Sequence, residues 1–240
     1  TNIRWKTEVP LNSPNSPVVW GNRVFCSGAD DAKREVYCFD AESGALLWQR
    51  ALDAFSGTPN PLPKVGEETG YAAPTMVAHG NVVCAIFATG DLVCYDFDGN
   101  LKWGKNIGAP KNPYGHASSL IALDDLLFVQ MDQKKAGNLF AYKLADGAEA
   151  WNAARTEASW ASPVLVPMPA GVQLLLSAQT MVTAYAPKDG AKVWDFKCLD
   201  GEVAPGLAWD GKLFFAMNEY AMATAFKVNE GTPPTPEMVW

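Results

Sequence analysis

Short runs of apolar and polar residues alternate along the whole chain, and none keeps the three-to-four-residue period of an amphipathic helix. The first set of runs covers residues 16–20, 23–27, 35–39 and 46–51, rich in β-branched and aromatic side chains and separated by Gly, Asn and Asp turns. A second set follows at 73–78, 82–88, 92–96 and 101–105, and a third at 117–122, 126–131, 139–143 and around Trp151. The fourth covers 162–167, 172–177, 181–186 and a strand around Trp194. The fifth covers 204–209, 213–217, 221–227 and a last strand starting at Met238. The pattern predicts an all-β chain of consecutive antiparallel hairpins, four strands to each set.

One nonapeptide punctuates these sets: Asp40-Ala41-Glu42-Ser43-Gly44-Ala45-Leu46-Leu47-Trp48. Variants recur, and each time a glycine stands four residues before a tryptophan: Gly44 and Trp48, Gly99 and Trp103, Gly147 and Trp151, Gly190 and Trp194. From Trp5 through these four to Trp240 the intervals are 43, 55, 48, 43 and 46 residues. A period of that size signals a repeat architecture. Four-stranded antiparallel units at this spacing predict a β-propeller, with the first strand of each blade lining the channel and the fourth outermost. A sandwich is the fallback, but it does not call for near-identical repeats. The recurrent Trp and Gly are read as packing residues, the glycine leaving a flat surface on which an aromatic ring of a neighbouring blade stacks.

The nonapeptide resembles the tryptophan-docking motif of the pyrroloquinoline-quinone-type β-propellers. That family includes quinoprotein alcohol dehydrogenases and the propeller lipoprotein of the bacterial outer-membrane assembly machine. The resemblance runs through Trp48, Trp103, Trp151 and Trp194. It fails in the fifth repeat, where Gly231 lies nine residues before Trp240 with Pro233, Pro234 and Pro236 between. Residues 112–119 and 201–205 are similar to stretches of exported, non-catalytic bacterial members. The expected organisation is one propeller domain with blades at about 10–51, 52–106, 107–154, 155–197 and 198–240, residues 1–9 being the outer strand of a preceding or closing blade. Because the family usually has seven or eight blades, the resemblance implies that the five visible ones are part of a larger ring. The alternative is a five-bladed ring latched by the strand of Trp5. A periplasmic or otherwise exported location also follows from the resemblance; the chain itself opens Thr1-Asn2-Ile3 and carries no signal peptide.

Composition changes this picture little. The net charge of −7 argues against a nucleic-acid partner, since the longest basic run is Lys134-Lys135. No apolar run is long enough for a membrane-spanning helix. Aligning the repeats puts Cys38, Cys94, Ala141, Ala184 and Ala225 in one slot, so Cys38 and Cys94 are read as small buried apolar residues. A Cys26–Cys38 disulfide is the competing reading, which directly paired strands seldom permit.

Chemistry is sparse. The quinoprotein dehydrogenases hold their cofactor between a tryptophan and a disulfide of adjacent cysteines, with Ca²⁺ nearby and an Asp as base. No two cysteines are adjacent here, and Asp30-Asp31 and Asp124-Asp125 fall in hairpin turns. No catalytic residues, metal site or cofactor are therefore expected; pyrroloquinoline quinone and Ca²⁺ enter only through the resemblance. The two histidines, His79 and His116, lack a local acidic partner. The residues just before each inner strand are expected to ring the channel mouth and to differ between repeats, as a binding surface would. They include Asn15, Tyr71, Tyr114, His116, Trp160 and Glu202, a set suited to a sugar, peptide or small polar ligand. Pro59, Pro61 and Pro63 lengthen the second connection and are expected to form a lid or contact loop there. The reading is a binding or scaffold propeller for a protein or glycan, with a quinone-dependent dehydrogenase as the alternative.

Overall fold

The computed structural model describes residues 2–133, 135–219 and 222–240. Every regular element among them is a strand. The first sheet holds β1 (Val18–Trp20), β2 (Arg23–Ala29), β3 (Arg34–Asp40) and β4 (Leu46–Ala51), and the second β5 (Val77–His79), β6 (Val82–Ile86), β7 (Asp91–Asp96) and β8 (Leu101–Asn106). The third holds β9 (Ile121–Leu123), β10 (Leu126–Met131), β11 (Gly137–Lys143) and β12 (Glu149–Arg155), and the fourth β13 (Val164–Met168), β14 (Gly171–Ser177), β15 (Met181–Tyr185) and β16 (Lys192–Lys197). The fifth holds β17 (Ala208–Trp209), β18 (Phe214–Asn218), β19 (Met222–Asn229) and β20 (Thr235–Met238). Each sheet is antiparallel with its strands in chain order, the arrangement of propeller blades. The chain forms two compact units, residues up to 127 with 143–148, and 128–142 with 149–240.

Two expectations are corrected. The inner strands are shorter than the apolar runs: residues 73–76, 117–120 and 204–207 are not in strands. Their backbone bonds go to other loops, as when Leu120 N donates to the Thr75 carbonyl at 3.1 Å. The last outer strand ends at Met238 instead of starting there, and Pro236 lies within it; an edge strand tolerates a residue with no N–H to give. Ala221, expected to open a strand, lies outside the described residues, as does Lys134.

Burial separates middle strands from outer ones. β3 and β7 are buried on both faces almost throughout, whereas β4 buries only Trp48 deeply and leaves Leu46 and Leu47 about half exposed. The strict period of two therefore belongs to the outer strands, and the middle strands read as near-continuous apolar runs. Register explains the recurring tryptophan. Val18 lies opposite Phe25, Phe25 opposite Cys38 and Cys38 opposite Trp48, so one row of side chains crosses the blade. The same row in the second blade is Val77, Cys84, Cys94, Trp103, and in the fourth Val164, Leu175, Ala184, Trp194. The slot that takes Cys38, Cys94, Ala141, Ala184 or Ala225 sits directly beside the indole and is fully buried in all five blades. A larger side chain there would push the indole off the sheet.

Each indole then reaches a neighbouring turn. Trp48 Nε1 donates to the Phe97 carbonyl at 2.9 Å, Trp103 to Leu144 at 2.8 Å and Trp151 to Pro187 at 3.0 Å. Trp5 makes the same bond to Ala41 at 2.9 Å. In all four cases the indole lies against the glycine of that turn: a Cβ on Gly44, Gly99, Gly147 or Gly190 would come within 2.5–2.9 Å of the ring. These glycines have φ of +71°, +81°, +70° and +72°, so both the backbone conformation and the lack of a side chain are required. Trp194 breaks the rule, since its Nε1 donates at 2.8 Å to Gln173 Oε1 of its own blade.

All five cysteines are free and buried. Cys26 pairs with Tyr37 and Cys38 with Phe25, so the two thiols point to opposite faces and cannot be bridged. The pair that does meet is Cys84 and Cys94, directly opposed in the second blade with sulfurs 2.8 Å apart.

The docking geometry makes a contrast testable by urea denaturation. Gly147→Ala places a methyl inside the Trp103 ring envelope and strains a left-handed residue, and is expected to cost roughly 3 kcal/mol or more. Gly80→Ala carries a similar φ but meets nothing within 4 Å, and is expected to cost only about 1 kcal/mol.

Candidate functional site

The segments that precede the inner strands carry the six rim candidates, and they are held by hydrogen bonds from loop to loop. Asn15 is half-buried, and its Nδ2 donates to the Ser27 carbonyl at 2.7 Å and the Ala72 carbonyl at 2.8 Å. Tyr71 gives its hydroxyl to the Pro63 carbonyl at 3.1 Å, and its own carbonyl accepts from Ala88 N at 2.9 Å. Gly115, with φ +64°, packs so closely on Ala88 that a Cβ would lie 2.9 Å from the alanine methyl. Asn15, Tyr71 and His116 are thereby brought into one bonded neighbourhood, with Tyr114 on the exposed side. In the second unit Trp160 N donates to the Val203 carbonyl at 2.9 Å, which sets half-buried Trp160 beside the segment of exposed Glu202.

His116 is only 3% exposed. Its Nε2 lies 2.9 Å from the Gly108 carbonyl, and a carbonyl can only accept, so the ring proton is on Nε2. Burial pushes the imidazole pKa from 6.5 down to about 4, the bond to Gly108 opposing the shift. Gly108 is itself tied to Asn106, whose side chain accepts from Gly108 N and donates to Asp91 at 2.9 Å. His116 therefore anchors a buried network and does not stand free in a cleft.

That network centres on a carboxylate absent from the six candidates. Asp91 is fully buried and accepts from Thr58 Oγ1 at 2.5 Å, Thr89 Oγ1 at 2.7 Å and Asn106 Nδ2. Arg34 Nε lies 3.0 Å from Asp91 Oδ2, an ion pair set off-line for a hydrogen bond. A second buried pair is Arg155 with Asp132, bidentate at 2.6 and 2.8 Å, with Arg155 also donating to Tyr185 Oη at 3.0 Å. Of these four residues only Arg34 leaves a signal in the sequence, standing where the next three repeats carry Gly90, Gly137 and Thr180.

Around the first-unit rim there is a concavity of about 480 Å³, lined by Asp30, Lys64, Glu67, Gly70 and Tyr71 among others. Its wall is the proline-rich connection, which Thr58 and Tyr71 pin at Asp91 and Pro63. Among the described residues no group of three His, Cys, Asp or Glu side chains converges as metal ligands, and no helix is long and apolar enough to cross a membrane.

Four-stranded antiparallel blades with indole-on-glycine docking define a β-propeller. Residues 61–153 match the family model described as outer membrane protein assembly factor BamB. No match was found among curated protein sequences. BamB from Moraxella catarrhalis superposes with a TM-score of 0.67 at 13% identity, over 99% of this chain and 63% of that one. The quinohemoprotein alcohol dehydrogenase ADHIIG from Pseudomonas putida HK5 gives 0.61 at 13% identity, over 91% and 39%. A europium-containing methanol dehydrogenase gives 0.61 at 13% identity, over 93% and 48%. At that identity the likeness shows the fold alone, and the chain spans less than two thirds of each of these structures.

The buried imidazole gives a pH prediction. Its folded pKa lies below its unfolded one, so its contribution to stability is complete above about pH 6.5 and is lost as pH falls toward 4. The loss is expected to reach ~3 kcal/mol at most. In His116→Gln the slope of unfolding free energy against pH over that window should flatten, which urea titrations at a series of pH values would measure.

Proposed function

We propose that this chain acts as a non-catalytic binding or scaffold propeller of the bacterial cell envelope, contacting a protein or glycan through the rim formed by the segments before the inner strands. The observation that carries this reading is the state of His116. The one imidazole among the rim candidates is buried, proton on Nε2, and committed to a backbone carbonyl, so it offers neither a base nor a ligand to a molecule above the rim. What the rim offers instead is recognition surface: half-exposed Tyr114, half-buried Tyr71 and Trp160, and a wide concavity edged by Asp30, Lys64 and Glu67. Aromatic faces with mixed charge suit a peptide or sugar. The family whose model matches is described as an outer membrane protein assembly factor, which agrees with a protein partner and an envelope location.

Titration with pyrroloquinoline quinone, with and without Ca²⁺, separates this reading from the dehydrogenase-like one. No saturable quenching of tryptophan fluorescence is expected up to about 100 μM cofactor, an affinity weaker than roughly 5.5 kcal/mol. Saturable quenching that disappears in Trp160→Leu would overturn the non-catalytic reading in favour of the cofactor.

A further inference from the structure

The fourth blade meets the fifth differently from every other docking in the chain. In the other blades Phe39 pairs with Leu46, Tyr95 with Leu101, Tyr142 with Glu149 and Tyr185 with Lys192 across the docking turn. In the fifth, Phe226 pairs with Met238, which lengthens the connection by five residues relative to the first blade. The ladder extends to Val228 opposite Pro236 and Asn229 opposite Thr235. Val228 corresponds to Ala41, Phe97, Leu144 and Pro187, whose carbonyls take the indole N–H elsewhere, but here it is drawn into the sheet. Gly231 keeps its place in sequence, yet a Cβ on it would meet only the Pro233 carbonyl and no aromatic ring.

The β14 residue behind this turn also differs. Register aligns Gln173 with Arg23 of the first blade. Arg23 spans the space to the next docking turn, bonding the Phe97 carbonyl and, at 2.8 Å, Asp98. Gln173 is shorter and turned inward, its Oε1 accepting from Trp194. A cavity of about 250 Å³ remains between them, walled by Met168, Pro169, Val228 and Pro234, with Gln173 at its base and Glu230 at its edge. Gln173 is 5% exposed, and among the described residues its Nε2 has no acceptor.

We infer that this cavity is a binding site for a single aromatic ring carrying a hydrogen-bond acceptor, a phenol being the simplest such group. The ring lies against the two prolines and the Met168 thioether, which favour a flat polarisable partner. The acceptor oxygen takes the N–H of Gln173 Nε2, which lines the cavity with no protein acceptor among the described residues. The docking turns of the other blades each hold a ring, so an aromatic occupant restores at this junction what the lengthened connection removed. The phenol can come from a free small molecule or from a tyrosine side chain of a partner.

The test is titration of the ¹⁵N-labelled protein with p-cresol, toluene and blocked tyrosine (acetyl-tyrosine amide), followed by amide shifts. Saturable p-cresol shifts confined to 168–173 and 228–234 are expected, with toluene binding at least five-fold more weakly. Ala170→Phe, which fills the mouth from an exposed turn, should weaken p-cresol at least ten-fold with the fold intact. Gln173→Met should bring p-cresol down to the level of toluene. Blocked tyrosine binding as well as p-cresol supports the site and assigns it to a protein side chain; binding of p-cresol alone supports it and assigns it to a free phenol. Absence of localised shifts at millimolar p-cresol, or affinity unchanged in Ala170→Phe, overturns the inference.

Discussion

Everything in this molecule leans on the seat of an indole over a glycine. The blade row ending in Trp48, Trp103 or Trp151 must keep a small residue beside the ring, or the ring cannot lie flat on its own sheet. The turn beyond must present a glycine in left-handed conformation, or the ring cannot approach. One N–H to a carbonyl then fixes the rotation of the ring. Apolar contact supplies most of the attraction, and the hydrogen bond prevents the cost of a buried, unpaired indole N–H. The two terms together select one register between adjacent repeats.

That dependence explains what could be read from the sequence. The Gly-to-Trp interval of four residues is invariant in the four docking copies because it is a distance within one turn, and such distances survive as spacing. The slot of Cys38 and Ala141 was legible for the same reason. The ends of the inner strands were not. Residues 73–76 and 117–120 have strand composition, but they bond to other loops, and tertiary pairing overrides local propensity. The last strand ends where it is expected to begin, because Pro236 takes a place at a sheet edge, where no N–H is needed.

The rim was legible only as a list of positions. Sequence could place Tyr71, His116 and Trp160 before inner strands, since hairpin order determines that. It could not tell which side chains are spent on holding loops together. The Nδ2 of Asn15 and the imidazole of His116 could serve a ligand, yet each is committed to backbone carbonyls. Asp91 and Arg34, which organise the interior beneath, gave no motif because their partners lie on separate turns.

The departure at Trp194 has a mechanical meaning. Elsewhere an outer strand is fastened to the following turn by a ring and a bond that must fail together, so load on one blade passes to the next. Where Trp194 turns back to Gln173, that fastening is absent, and the join rests mainly on apolar packing, with Trp194 and Phe196 against Phe214 and Phe226. Packing shears gradually, whereas a docked ring releases all at once. A force pulling on the C-terminal strand therefore meets its softest seam between the fourth and fifth blades, and the repeats before it are shielded by that seam's compliance.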